Sequence, residues 1–126
     1  MNTIENEDLS GKTILEVSSG RSDTTRTLVD ILEGKPSAQL IITDISGKFF
    51  EQLSDEFQGR NVQLRFIQTG AHELQDVFDS SIDFLVCNYT LCAVNSQAGL
   101  VALALKRFYD VLRSGGKLFI EEEFPI

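Results

Sequence analysis

The sequence predicts an α/β fold, a doubly wound and mostly parallel five-stranded sheet with helices on both faces, and three observations carry that prediction. Apolar runs of strand length alternate with stretches of helical periodicity along the whole chain. One run, LIIT at positions 40–43, is apolar at nearly every position, as a strand covered on both faces must be. Breaks rich in Gly, Ser and Pro separate the runs, and no repeat, linker or low-complexity tract interrupts them, so residues 1–126 read as one unit, with 1–10 expected to be flexible.

Taken in order, the first strand is expected at Lys12–Val17, ended by Ser18, Ser19 and Gly20. A helix capped by Ser22 or Asp23 follows, with Leu28, Ile31 and Leu32 on its apolar face and Gly34 and Pro36 closing it. The second strand, Gln39–Thr43, leaves Asp44 at its C-terminal end. Ser46 is the expected cap of a second helix that buries Phe49, Phe50, Leu53 and Phe57 and stops at Gly59. Val62, Leu64 and Phe66 alternate with Gln63 and Arg65, which places the third strand at an edge with one face partly wet. A short helix around Glu73–Phe78 comes next. The fourth strand is expected at Ile82–Cys87, a long helix at Ser96–Arg113 with Leu100, Leu103, Ala104, Phe108 and Val111 inward, and the fifth strand at Lys117–Glu121 after a turn at Gly115–Gly116.

Composition narrows the partners. Eleven Lys and Arg stand against nineteen Asp and Glu, and a formal charge of −8 opposes a phosphate backbone, so nucleic acid is excluded as a partner. No apolar run approaches the roughly 20 residues that span a bilayer, and the opening MNTIENEDLS is acidic and polar where a signal peptide is basic and then apolar, so no membrane association and a cytoplasmic location are expected. Cys87 and Cys92 lack a neighbouring set of His or Cys to complete a zinc site, and Glu121–Glu123 alternate faces along a strand and cannot converge on one ion, so no metal is expected.

In open α/β sheets a ligand crevice lies beyond the carboxyl ends of the strands, where strand order reverses. The loops there hold Ser18–Ser22, Asp44–Ser46, Thr69–His72 and Asn88–Thr90. A glycine-containing turn after the first strand lets backbone N–H groups approach a ligand, and an acid ending the second strand can accept both hydroxyls of a ribose. Together they point to a nucleoside-containing ligand.

Five segments in order resemble the class I S-adenosylmethionine-dependent methyltransferases: ILEVSSGRSDTT, LIITDIS, FIQTGAHEL, SIDFLVCNYTLCAV and LKRFYDVLRSGGKLFIEEEFPI. The phrase TDISGKFFEQL, with DTT after the first loop, is particularly similar to the carbon-methylating domains of polyketide synthases. The resemblance covers the chain from about Thr13 onward and implies a Rossmann-like fold with S-adenosylmethionine as cofactor and a small molecule as substrate. It implies that Glu16 orients the methionine amino group, that Ser18, Ser19 and Gly20 pass beneath the methionine part, and that Asp44 holds the ribose. Ile45 would lie against the adenine, Ala71 and His72 would border it, and Asn88 and Tyr89 would lie near the sulfonium and the incoming nucleophile. No side chain is assigned a catalytic role, because methyl transfer from a sulfonium rests mostly on positioning.

The sequence departs from the family pattern at three places. Ser18 and Ser22 stand where the family has the first and third glycines of its loop, and Thr69 or Gly70 stands where many relatives carry an acid for the adenine amino group. The third departure is the end of the sequence at Ile126, just past the fifth strand, where relatives add two more; the expectation is a fragment, or an acceptor site supplied elsewhere. An unpaired fifth-strand edge would then take a second copy or a partner. The alternative reading is a non-catalytic methyltransferase-like domain used for protein association. A nicotinamide-dinucleotide domain would need G-x-G-x-x-G, and the chain has Ser18, Gly20 and Asp23 at those positions.

Overall fold

The computed structural model describes residues 4–18, 22–88 and 100–121. A short 3-10 helix at Ile4–Asn6 precedes β1 (Thr13–Ser18), α1 (Ser22–Leu32), β2 (Gln39–Asp44), α2 (Phe50–Glu56), β3 (Gln63–Gln68), β4 (Ile82–Asn88), α3 (Leu100–Val111) and β5 (Leu112–Glu121). The strands form one sheet in the order β3-β2-β1-β4-β5, and every pairing is parallel. The chain lays β2 and β3 to one side of β1 and then crosses to lay β4 and β5 on the other. The order therefore reverses between β1 and β4, and their carboxyl ends open the crevice.

Two clusters of buried side chains, one on each face of the sheet, make the core. On one face Ile14, Leu40, Ile42, Phe84 and Val86 pack under Leu28, Val29 and Leu32 of α1 and Leu53 and Phe57 at α2, with Ile4 and Leu9 closing the cluster. On the other, Leu15, Val17, Ile41, Ile67, Leu85 and Cys87 pack under Ala104, Phe108 and Val111 of α3. Alternate residues of β1 and β4 thus go to opposite cores, which is why these strands read as unbroken apolar runs. β3 lies at an edge, with Gln63, Arg65 and Gln68 exposed.

Several expectations are corrected. The segment 73–78 is a series of turns and not a helix, because Leu74 and Asp76 adopt positive φ (46° and 64°), which no right-handed helix accommodates. Arg107 of α3 holds this path. Its Nε donates to the Glu73 carbonyl at 2.9 Å, its Nη2 to Leu74 and Val77 carbonyls at 3.3 and 2.7 Å, and its Nη1 pairs with Asp79 at 2.6 Å. The fork satisfies carbonyls that a helix would have used itself.

Ser46 does not cap α2. Phe49 occupies the N-cap position without a side-chain bond, while Ser46 Oγ accepts from Lys48 N and donates to Asp44. Phe49 lies on the surface under the Lys48 ammonium and not in the core, whereas Phe50 packs on Phe66 with ring centroids 5.2 Å apart. Leu103 points outward at 52% exposure, since the inner stripe of α3 runs through Ala104, Phe108 and Val111. β5 starts at Leu112, five residues earlier than expected, through an irregularity between Ile82 and Phe84 of β4 that absorbs the two glycines. Gly115 has φ 84°, and a Cβ on Gly116 would sit 2.9 Å from the Arg113 carbonyl oxygen and 3.1 Å from that of Asp83, so both positions exclude a side chain. Asp83 secures the same corner by accepting from Thr13 N at 2.8 Å and pairing with Arg113 Nε at 3.2 Å.

Candidate functional site

Glu16 and Asp44 lie at the carboxyl ends of adjacent parallel strands, where the register sets Glu16 beside Ile42 and Ser18 beside Asp44. Both side chains lie on the α1 and α2 side of the sheet, because they share strand parity with Ile14 and Ile42 of that core. Glu16 is 1% exposed, and among the described residues no cation pairs with it. Its carboxylate takes the Thr25 hydroxyl of α1 at 2.7 Å from Oε1 and 2.9 Å from Oε2. Burial pushes the Glu16 carboxyl up to about 7, the Thr25 hydrogen bond opposes the rise, and the charge of Asp44 adds to it.

Asp44 is buried but for a small part of its surface. Its Oδ1 accepts from Ser46 N at 2.9 Å and Ser46 Oγ at 3.2 Å, an Asx turn that fixes the carboxylate at the strand end. Among the described residues Oδ2 takes no hydrogen bond. The next residue, Ile45, stands 65% exposed, an apolar side chain at the mouth of the crevice. The backbone of Asp44 also anchors the loop after β3, since its carbonyl accepts from Thr69 N at 3.0 Å. Thr69 Oγ1 in turn accepts from Gln75 N at 2.9 Å.

The structure places the other expected residues unevenly. Ala71 is buried in the α3-side core, so only its backbone can border a ligand. His72 is half-buried, and its buried Nδ1 has no hydrogen-bond partner among the described residues. Its ring lies over Gly70, where a Cβ would come within 2.9 Å of Cε1, so the ring fills the space that an acidic side chain at 70 would need. Ser18 and Asn88 end β1 and β4, on the two sides of the crossover. Ser19, Gly20 and Tyr89, together with Cys92, lie outside the described residues.

Ser46, expected in a crevice loop, and Thr25 and Thr43, not among the residues expected from the sequence, complete this constellation. The signal for Thr25 is its spacing, since it precedes Leu28, Val29 and Leu32 by three, four and seven positions and so falls on the buried stripe of α1, where a hydroxyl needs a partner.

Residues 14–116 match the family described as methyltransferase domain. The chain belongs to this methyltransferase family. Polyketide synthase 19 of Gibberella fujikuroi (strain CBS 195.34 / IMI 58289 / NRRL A-6831) is 33% identical over 113 residues, which are 86% of this chain and 4% of the synthase. Among solved structures, the CurJ carbon methyltransferase superposes with a TM-score of 0.73 at 20% identity, covering 94% of this chain and 31% of its own. The trans-methyltransferase CalH in complex with SAH superposes with 0.71 at 20% identity, covering 94% and 34%. The methyltransferase domain thus spans about a third of the two structures' lengths and a small part of the synthase's. Its five-stranded parallel sheet is their Rossmann-like fold. Among the described residues no helix is long and apolar enough to cross a membrane.

Proposed function

We propose that this chain supplies the S-adenosylmethionine-binding part of an enzyme that transfers a methyl group to a small-molecule acceptor. One observation supports the reading above the others: two buried carboxylates, Glu16 and Asp44, lie near the carboxyl ends of the neighbouring strands β1 and β2, beside the switch point, and neither is neutralised by a cation among the described residues. The cofactor's chemistry fits this donor set, because a buried carboxylate served by one hydroxyl suits an ammonium, and a carboxylate with one oxygen unoccupied suits a ribose diol. When bound, the cofactor supplies a methyl group activated by its sulfonium.

Glu16 would hold the amino-acid end, Asp44 Oδ2 the ribose and the exposed face of Ile45 the adenine, while His72 and the backbone at Ala71 border the base. Ser18, Ser19 and Gly20 would pass beneath the methionine part. Asn88 and Tyr89 would position the nucleophile in line with the methyl group, which is the part of catalysis that proximity supplies. The likeness to a polyketide synthase and to a carbon methyltransferase supports a carbon atom as acceptor. The outer edge of β5 is where a second copy or another chain would pair, supported by the exposed Leu105, Tyr109, Leu118 and Ile120 along that flank.

Isothermal titration with S-adenosylmethionine tests the reading. The wild-type chain is expected to bind, and Asp44→Asn, which keeps an acceptor for Ser46 but replaces one carboxylate oxygen by a donor, is expected to weaken binding by about tenfold or more. Absence of heat at millimolar ligand removes the proposal. Sedimentation velocity reads the edge separately, and a monomer at every concentration up to the highest soluble one removes that part alone.

A further inference from the structure

Among the described residues few donors are available to the Glu16 carboxylate. The neighbouring threonine on β2, Thr43, spends its hydroxyl on the Glu16 backbone carbonyl at 2.8 Å and cannot serve the side chain. On β4 the register neighbour is Val86, and the ionisable group facing from β2 is Asp44, of the same charge. Among the described residues the hydroxyl of Thr25 therefore remains, within 2.9 Å of both oxygens, yet it carries a single proton where an ionised carboxylate accepts about four hydrogen bonds. Thr25 is itself held by the buried stripe of Leu28, Val29 and Leu32, so the hydroxyl has a fixed origin.

We propose that Thr25 is a positioning residue for the amino-acid end of the ligand: its hydroxyl fixes the Glu16 carboxylate from the α1 side and leaves the remaining acceptor sites to be filled by the ligand's ammonium. The proposal rests on the S-adenosylmethionine reading of the same site. It makes Thr25 and Glu16 a selector for ligands that carry the amino group. Because burial and Asp44 push the Glu16 carboxyl up to about 7 while Thr25 opposes them, the anionic form that an ammonium needs is half lost by neutral pH, and loss of Thr25 moves that point upward.

The experiment compares two probes by isothermal titration between about pH 5.5 and 7.5, below the titration of an α-amino group. S-adenosylmethionine carries the ammonium, and 5′-methylthioadenosine keeps the adenosine and thioether without the amino-acid part. Wild type is expected to bind S-adenosylmethionine more weakly as pH falls through 7, with 5′-methylthioadenosine unchanged. Thr25→Val is expected to weaken S-adenosylmethionine about tenfold at neutral pH, move its pH midpoint upward and leave 5′-methylthioadenosine within about twofold, while Thr25→Ser restores both affinity and midpoint. Thr25→Ala carries the same expectation if the valine variant does not fold. Equal loss of both probes, or an unmoved pH profile in the variants, overturns the role of Thr25 while leaving the cofactor reading in place. Failure of the wild type to bind either probe overturns both.

Discussion

The middle of the sheet and its β5 flank are finished in different ways. β1 and β2 are buried on both faces, pair on both sides and carry carboxylates near their carboxyl ends, Glu16 held by Thr25 and one oxygen of Asp44 by Ser46. β5 pairs with β4 alone among the described residues, enters through a register irregularity and leaves Leu118 and Ile120 exposed beside Leu105 and Tyr109 of α3. Burial at the centre fixes polar groups in place, because each must find a partner or shift its ionisation. Exposure at the flank leaves apolar side chains that no described residue covers, the surface on which the proposed pairing rests. The proposed chemistry thus draws on the centre, and the proposed associations draw on the flank.

Substitutions that test each half sharpen the contrast. The largest effect is expected inside α3, where Phe108 is fully buried and Phe108→Ala should cost about 3–5 kcal/mol by urea denaturation. Its neighbour Tyr109 is 73% exposed, and Tyr109→Ala should stay within about 0.5 kcal/mol; a comparable loss at both would contradict the division.

Glu16 comes next. A carboxyl raised from 4.5 to about 7 in the folded state binds its proton more tightly there than in the unfolded chain. Stability therefore falls as pH rises from about 4.5 to about 7, by a total on the order of 3 kcal/mol. Glu16→Gln removes that titration, so its unfolding midpoint should decline less than the wild type's between pH 5 and pH 8, and parallel declines would show that Glu16 is not the cause.

Arg107→Lys should have a smaller effect, about 2 kcal/mol, because a lysine keeps the charge but cannot reach the three carbonyls as a fork. Amide exchange should localise the change to residues 70–79, and uniform protection there would refute the clamp.

The fold was legible because its strands sort residues to two cores, a pattern that survives in the bare order of apolar and polar positions. Segment 73–78 was not, since Leu74, Val77 and Phe78 have helix-like spacing, while the turns are held by contacts the spacing does not show, chiefly with Arg107 about thirty positions away. Leu103 misled for a related reason: on a flank with exposed apolar side chains, hydrophobicity ceases to mark the inner face. At the site, Glu16 and Asp44 announced themselves as acids ending apolar strands. Thr25 did not, because a threonine in the first turn of a helix reads as part of its start, and its contact with Glu16 exists only once α1 packs across β1.

A crystal structure of the wild-type chain soaked with S-adenosylhomocysteine tests the central claim most directly. Ligand density is expected across the carboxyl ends of β1 and β2, with the amino group within hydrogen-bond reach of Glu16 and the ribose hydroxyls on Asp44. Density elsewhere on the sheet, or a ligand that leaves both carboxylates untouched, would contradict it.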